Sequence, residues 1–148
     1  MSGIAQVTTG GPKTFTPASG ETILGGQLVE ARSGSRIGVA AAGSLKVLGV
    51  ALTDAIAPEQ VVTDPTTDSL GRPVLSAVAI PTKVAVAYSG TEVKVTYSAA
   101  ANFGDKLVAT ATGKVGPAGA TPDARTIVGI CTEPAGVLIN TVGLMRIA

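Results

Sequence analysis

The side chains able to do chemistry are few in this sequence, and they stand apart. There is no histidine, which removes the commonest general base and the commonest neutral metal ligand. A Ser-His-Asp or Cys-His arrangement is therefore impossible within the chain. Cys131 is the sole cysteine, so no intrachain disulfide can form and no zinc site can be built around it. It closes the apolar run Ile127–Cys131 at the place where an earlier, similar run has Ala51, and we expect a small buried side chain there. Asp64 and Asp68 share one loop, but they lack the spaced acidic-glycine pattern of a calcium-binding loop and read as turn residues. Gly11-Pro12-Lys13-Thr14 has the shape of the end of a phosphate-binding loop. The residue five positions before Gly11 is Gln6 rather than glycine, and Pro12 displaces the lysine, so the match fails. We expect no enzyme, no catalytic residue, no cofactor and no metal.

Gly104-Asp105-Lys106-Leu107 resembles the turn of lipoyl and biotinyl carrier domains, which display a modifiable lysine at a hairpin tip. No lysine here has the flanking residues of such a site, and a tight turn entering a strand explains the stretch better. That turn belongs to a repeat. Gly25–Glu30 (GGQLVE) and Val47–Ala51 (VLGVA) return as Gly104–Ala109 (GDKLVA) and Ile127–Cys131 (IVGIC). Matching Leu28 to Leu107 gives an offset of 79, and matching Val47 to Ile127 gives 80. One extra residue near Arg36 reconciles them. Asp105 and Lys106 then fall against Gly26 and Gln27, so the charges are not shared and the copied stretch is scaffold. On this reading, function lies outside it, in the N-terminal segment, the Val61–Pro73 loop and an alanine-lined strand face.

Composition points the same way. Apolar residues make up 45% of the 148 but aromatics only 3%, so the core is built from Val, Ile, Leu and Ala. The 19 glycines and nine prolines are scattered rather than clustered, which reads as frequent turns between short strands. A net charge of +1 with no basic run argues against nucleic acid as a partner. No apolar stretch reaches the ~18 residues of a membrane span, and no secretion signal opens the sequence, so we expect synthesis in the cytoplasm. A chain this apolar and this nearly neutral is suited to having part of its surface covered by partners.

In chain order, Met1–Gly20 reads as an extended, flexible N-terminal arm with Ile4, Val7 and Phe15 as its apolar anchors, and residues 21–148 as one β-rich domain. Strands are expected at Gln27–Ala31 and Arg36–Ala40 around a Ser33-Gly34 turn, at Lys46–Leu52 and at Val74–Ile80. Ala55–Gln60 allows a single helical turn, and Val61–Pro73 is an exposed loop. Lys83–Tyr97 reads as a hairpin: Val84, Val86 and Tyr88 alternate with Ala85 and Ala87, and Val93, Val95 and Tyr97 alternate with charged or polar residues. Further strands fall at Lys106–Ala111, Lys114-Val115, Thr126–Cys131, Val137–Thr141 and Leu144–Ile147, the last two joined through Val142-Gly143. The fold class is all-β: a small β-barrel or β-sandwich of ten to twelve short strands, with an internal strand-turn-strand duplication and at most one short helix.

The order of these motifs from Glu21 to Ile147, with Gly26-Gln27-Leu28-Val29, Val47–Ala51, the Val74–Tyr97 strands, Gly104–Val108 and Ile127–Ile130, resembles the capsid decoration, or head cement, proteins of tailed phages. That resemblance implies a homotrimer on the outer surface of the virion capsid. It would bind the major capsid protein, bridge neighbouring subunits and stabilise the lattice, with no membrane and no small-molecule substrate involved. No residue's role carries over from the resemblance by position; the expected capsid-contacting residues are the apolar anchors of the N-terminal arm, Ile4, Val7 and Phe15. The alternative is a phage tail or fibre β-domain acting as a binding module.

Overall fold

The computed structural model describes residues 11–61, 66–74 and 81–148. Among these there is no α-helix, only short 3-10 turns between strands. Ten strands form two five-stranded antiparallel sheets. The first contains β1 (Lys13–Phe15), β3 (Leu28–Arg32), β4 (Arg36–Val39), β5 (Val47–Ala51) and β9 (Val84–Ala87), with β2 (Thr22–Ile23) and β6 (Ala55–Ile56) pairing beside it. The second contains β10 (Glu92–Thr96), β11 (Lys106–Ala109), β12 (Val115–Pro117), β13 (Ile127–Cys131) and β14 (Val142–Ile147). A small ribbon, β7 (Thr66–Thr67) with β8 (Pro73–Val74), stands in the excursion between β6 and β9.

The sheet orders are β1-β9-β5-β3-β4 and β10-β14-β13-β11-β12. They coincide when each strand of the first is matched to its counterpart in the second. Each sheet is then closed by the continuation of its edge strand. After β1 the chain turns and pairs in parallel with β4 at Pro17–Ile37, where Ala18 N–H donates to Ile37 O at 2.7 Å and Ile37 N–H to Thr16 O at 3.1 Å. After β10 it pairs in parallel with β12 at Tyr97–Val115, where Ser98 N–H donates to Val115 O at 2.8 Å. Among the described residues the chain thus forms two small barrels, and the duplication extends over all five strands of each rather than one strand-turn-strand unit.

Backbone pairing corrects the phase of the repeat. Gly26 and Gly104 hold the same left-handed turn, at φ 87° and 88°. Gln27 O accepts from Ala51 N–H as Asp105 O accepts from Cys131 N–H, both at 2.9 Å. The glycine pair Glu30↔Gly38 recurs as Val108↔Gly116. Leu28 therefore corresponds to Lys106, and Val29 to Leu107, at an offset of 78. The extra length, two residues rather than one, lies in the loop before β5 and β13. Matching the Leu-Val dipeptides slipped the alignment by one position, which in a strand exchanges the two faces.

Other expectations also needed redrawing. The expected hairpin Lys83–Tyr97 is two strands in different barrels: β9 pairs with β1 and β5, and β10 with β14. Alternation shows which way side chains face but carries no information on the partner strand. Val142-Gly143 is the start of β14, and the turn lies earlier, with Asn140 at φ 58°. The part of the N-terminal segment described here, residues 11–20, contains β1 and the closing bridge, so the first barrel begins by Lys13, before the expected boundary at Glu21.

The first barrel is filled by Ile23, Val29, Ile37, Ala51, Ala55, Val84 and Val86, all buried, with Phe15, Leu48 and Tyr88 packed against them. The second is filled by Val95, Tyr97, Leu107, Val115, Val128, Cys131 and Met145. Leu28, Ala40, Val50 and Ala87 belong to first-barrel strands or loops but join the second barrel's cluster. They form the seam between the barrels, so the alanine face of β9 lies under a neighbouring sheet of the same chain. Burial of each large aliphatic contributes about 1.5–3 kcal/mol.

One glycine of the repeat is fixed by close approach. A Cβ on Gly49 would collide with the Ala87 carbonyl, and one on its counterpart Gly129 would lie 2.6 Å from Arg146 O. Overpacking of this kind costs about 1–3 kcal/mol. We predict that Gly49→Ala lowers the melting temperature by about 4–10 °C, whereas Gly119→Ala, with nothing within 4 Å of the new Cβ, leaves it unchanged. Thermal denaturation followed by circular dichroism checks this, and equal melting temperatures for the two variants would contradict it.

Candidate interaction surface

The sequence-derived contact residues separate. Ile4 and Val7 lie outside the described residues. Phe15 sits on β1, half-buried, its ring edge-to-face with Tyr88 at 6.3 Å and an interplanar angle of 76°, with Lys13 Nζ 5.5 Å from its centroid. It is held inside the first barrel as an intramolecular anchor. Asp68 is a turn residue: its Oδ1 accepts from the Leu70 and Arg72 N–H groups, and Arg72 pairs with its Oδ2, all at 2.9 Å. The Arg72 amide first, then that of Leu70 and the guanidinium, hold its carboxyl below the usual range despite burial. Asp64 is outside the described residues.

Cys131 is buried in β13, opposite Met145 and at the position of Ala51. Near it, Tyr97 is fully buried and its hydroxyl donates to Leu144 O at 2.8 Å. This is a packing site with a satisfied hydroxyl.

What the sequence did not single out is an uncharged end on the second barrel. Ser98–Gly104 and Pro134–Met145 contain no charged residue. The two segments are tied together by a reciprocal pair, Ala101 N–H to Val137 O at 2.9 Å and Val137 N–H to Ala101 O at 2.8 Å. The turn that follows is rigid: Asn140 N–H donates to Tyr97 O at 2.9 Å, and Thr141 Oγ1 donates to Leu138 O at 2.7 Å. These constraints hold Leu138, Ile139 and Val142 outward at 73%, 61% and 61% exposure, with Phe103 at 65% on the adjoining loop. Beside them a groove of about 270 Å³ runs between the barrels, lined by Leu52 and the Gly25-Gly26 turn on one side and by Lys94–Thr96 and Val142 on the other.

The repeat explains why this end is bare. Ala101–Val137 is the counterpart of Ile23–Ala55 in the β2–β6 ribbon. In the first barrel the chain continues past Ala55 into the excursion; Ile56 N–H donates to Pro81 O at 2.9 Å, and Ala57 is fully buried. The second barrel has no such excursion, so Leu138 and Ile139 are uncovered at the positions of Ile56 and Ala57. The signal was present in the sequence. Leu138 and Ile139 are adjacent, and consecutive apolar residues of a strand point to opposite faces, so both cannot enter one core.

No protein-family model matches the chain, and no curated protein does. Among solved structures, the chain is similar to the crystal structure of the head fiber gp8.5 N base of bacteriophage phi29. The TM-score is 0.58 at 17% identity, covering 93% of this chain and 94% of that one. At that identity the likeness establishes the fold: an all-β architecture shared over nearly the full length of both chains.

The buried tyrosine gives a check on the barrel core. Burial, with the Cys131 thiol beside it, pushes the Tyr97 hydroxyl far above the ordinary phenol range, and burial raises Tyr88 by less. A folded-state value above the unfolded one means that this contribution to stability is complete below about pH 10 and is lost as pH rises beyond it. In an absorbance titration we predict one tyrosine ionising while the protein is folded and the second only with alkaline unfolding. Two tyrosines ionising together below pH 11 would contradict the buried hydroxyl.

Proposed function

We propose that this protein is a structural component of a tailed-phage virion that binds the outer surface of the head. The observation that carries the reading is the likeness to a phage head-fibre base over 93% of the chain. The near-neutral charge and the scarcity of reactive side chains support an assembly role rather than catalysis. In this role the protein bridges neighbouring major capsid subunits and adds apolar contact to the lattice. Contacts of ~25 cal/mol per Å² are individually weak but sum when many copies bind a closed shell.

The contacting surface in this reading is the uncharged end of the second barrel. An exposed apolar patch on a weakly charged protein marks an interaction site, and Phe103, Leu138, Ile139 and Val142 provide one on rigid turns. The homotrimer belongs to the same proposal. A fibre-associated binding module is the second reading, favoured by the likeness to a head fiber base.

Co-sedimentation with purified, expanded heads of the parent phage tests the proposal. The wild-type protein should pellet with heads and raise their disruption temperature. Leu138→Glu with Ile139→Glu should reduce binding at least tenfold while the melting temperature of the free protein stays within about 3 °C, because both side chains are exposed. Binding to purified tails but not to heads would support the second reading instead. Light scattering of both proteins gives the oligomeric state, and a monomer would remove the trimer.

A further inference from the structure

We infer that the Glu30 carboxylate is a latch between the two barrels: it fixes the Ala40–Lys46 loop, and that loop supplies hydrogen bonds holding the second barrel on the first. Glu30 is the one buried charged side chain among the described residues, at 8% exposure. By the repeat its counterpart is Val108, so the strand position does not itself require an acid. Burying a carboxylate is costly unless it is paired and hydrogen-bonded, and Glu30 is both. Ala41 N–H donates to its Oε2 at 3.2 Å, and an Arg32 guanidinium nitrogen lies 3.0 Å from Oε1.

Arg32 is itself held from two sides. It lies 3.5 Å from Glu21 Oε1 and donates to Val39 O at 3.1 Å, while Glu21 Oε2 accepts from Val39 N–H at 3.2 Å. Lys46 is the remaining charge that acts on Glu30. Burial raises the carboxyl's pKa, but Ser44, the Ala41 amide, Arg32 and Lys46 together outweigh it and keep the group below the usual carboxylate range.

The loop held in this way meets the second barrel at two points, its start and its middle. Ala40 O accepts from Gly113 N–H at 3.1 Å, and Gly43 N–H donates to Ala109 O at 3.0 Å. Gly113 is packed so closely that a Cβ there would come within 2.9 Å of both Leu28 O and Val39 Cγ1. A third hydrogen bond across the seam, Gln27 Nε2 to Thr112 O at 3.1 Å, does not involve the loop. The inference rests on this geometry alone and is independent of what the protein binds.

Native-state hydrogen exchange on the full chain tests the latch through four amides. Gly43 and Gly113 report on the seam; Ala18 and Ser98 report on the closure of each barrel. Glu30→Val, which installs the residue the second barrel uses, should speed exchange at Gly43 and Gly113 at least tenfold and leave Ala18 and Ser98 within twofold. Glu30→Gln keeps an acceptor oxygen but loses the charge that Arg32 holds, and should give a smaller rise at the same two amides. Unchanged exchange at Gly43 and Gly113 in either variant, or an equal rise at all four amides, would overturn the inference. If Glu30→Val fails to fold, Glu30→Gln decides by the same criteria.

Discussion

The structure depends on one geometric constraint: a five-stranded sheet of small side chains must close on itself. In each barrel a single stretch of chain serves both open edges, antiparallel to one neighbour and then parallel to another. Residues 13–18 do this in the first barrel and residues 92–98 in the second. With aromatics at 3%, neither sheet has bulky residues to cover an open face, so closure around Val, Ile, Leu and Ala is what excludes water. Closure also removes free edges, which otherwise recruit other strands. The glycines at 49 and 129 follow from the same constraint, because neighbouring backbone approaches too closely there for a Cβ.

Although the barrels are copies, they are not joined symmetrically. The outward face of the first barrel, with Leu28, Val50 and Ala87, is covered by the second barrel. The corresponding face of the second carries Lys106, Ile130 and Arg146. Lys106 and Arg146 line up with Ile130 across β11, β13 and β14. Replacing Leu by Lys and Ala by Arg makes that face soluble and ends the stacking at two units, as capping repeats do in longer arrays. The apolar surface left uncovered lies elsewhere, at the end of the second barrel that lacks the excursion. The two barrels thus divide labour: the first is enclosed by its own chain, and the second presents an apolar end to something else.

Much of the fold was legible in the sequence. Glycine spacing and apolar runs placed β3, β4, β5, β11 and β13, and the alternation at Val84–Tyr88 set Val84 and Val86 on one face, which is buried in the first barrel, whereas the alanine face expected to carry function lies in the seam between the barrels at Ala87. The repeat was visible, but its phase was not, because Leu28-Val29 and Leu107-Val108 look alike while turns and hydrogen bonds set the register. The partner of a strand was illegible for a similar reason: β9 and β10 are adjacent in sequence, yet their paired residues are 35 or more positions away, as at Ala51↔Val86. Phe15 was expected as an anchor of the N-terminal arm, and in the structure it packs against the core of the first barrel. The exposed end was missed because Leu138 and Ile139 were assigned to a strand, where an apolar pair reads as core.

We propose that this two-barrel protein is carried on the outside of a phage head, seated by the end that displays Leu138 and Ile139. Cryo-electron microscopy of virions from the parent phage tests it most directly. Paired-barrel density is expected on the outer surface of the shell, with the Ser98–Gly104 and Pro134–Met145 loops turned toward the major capsid protein. Density of this shape confined to the tail, or particles complete without it, would contradict the claim.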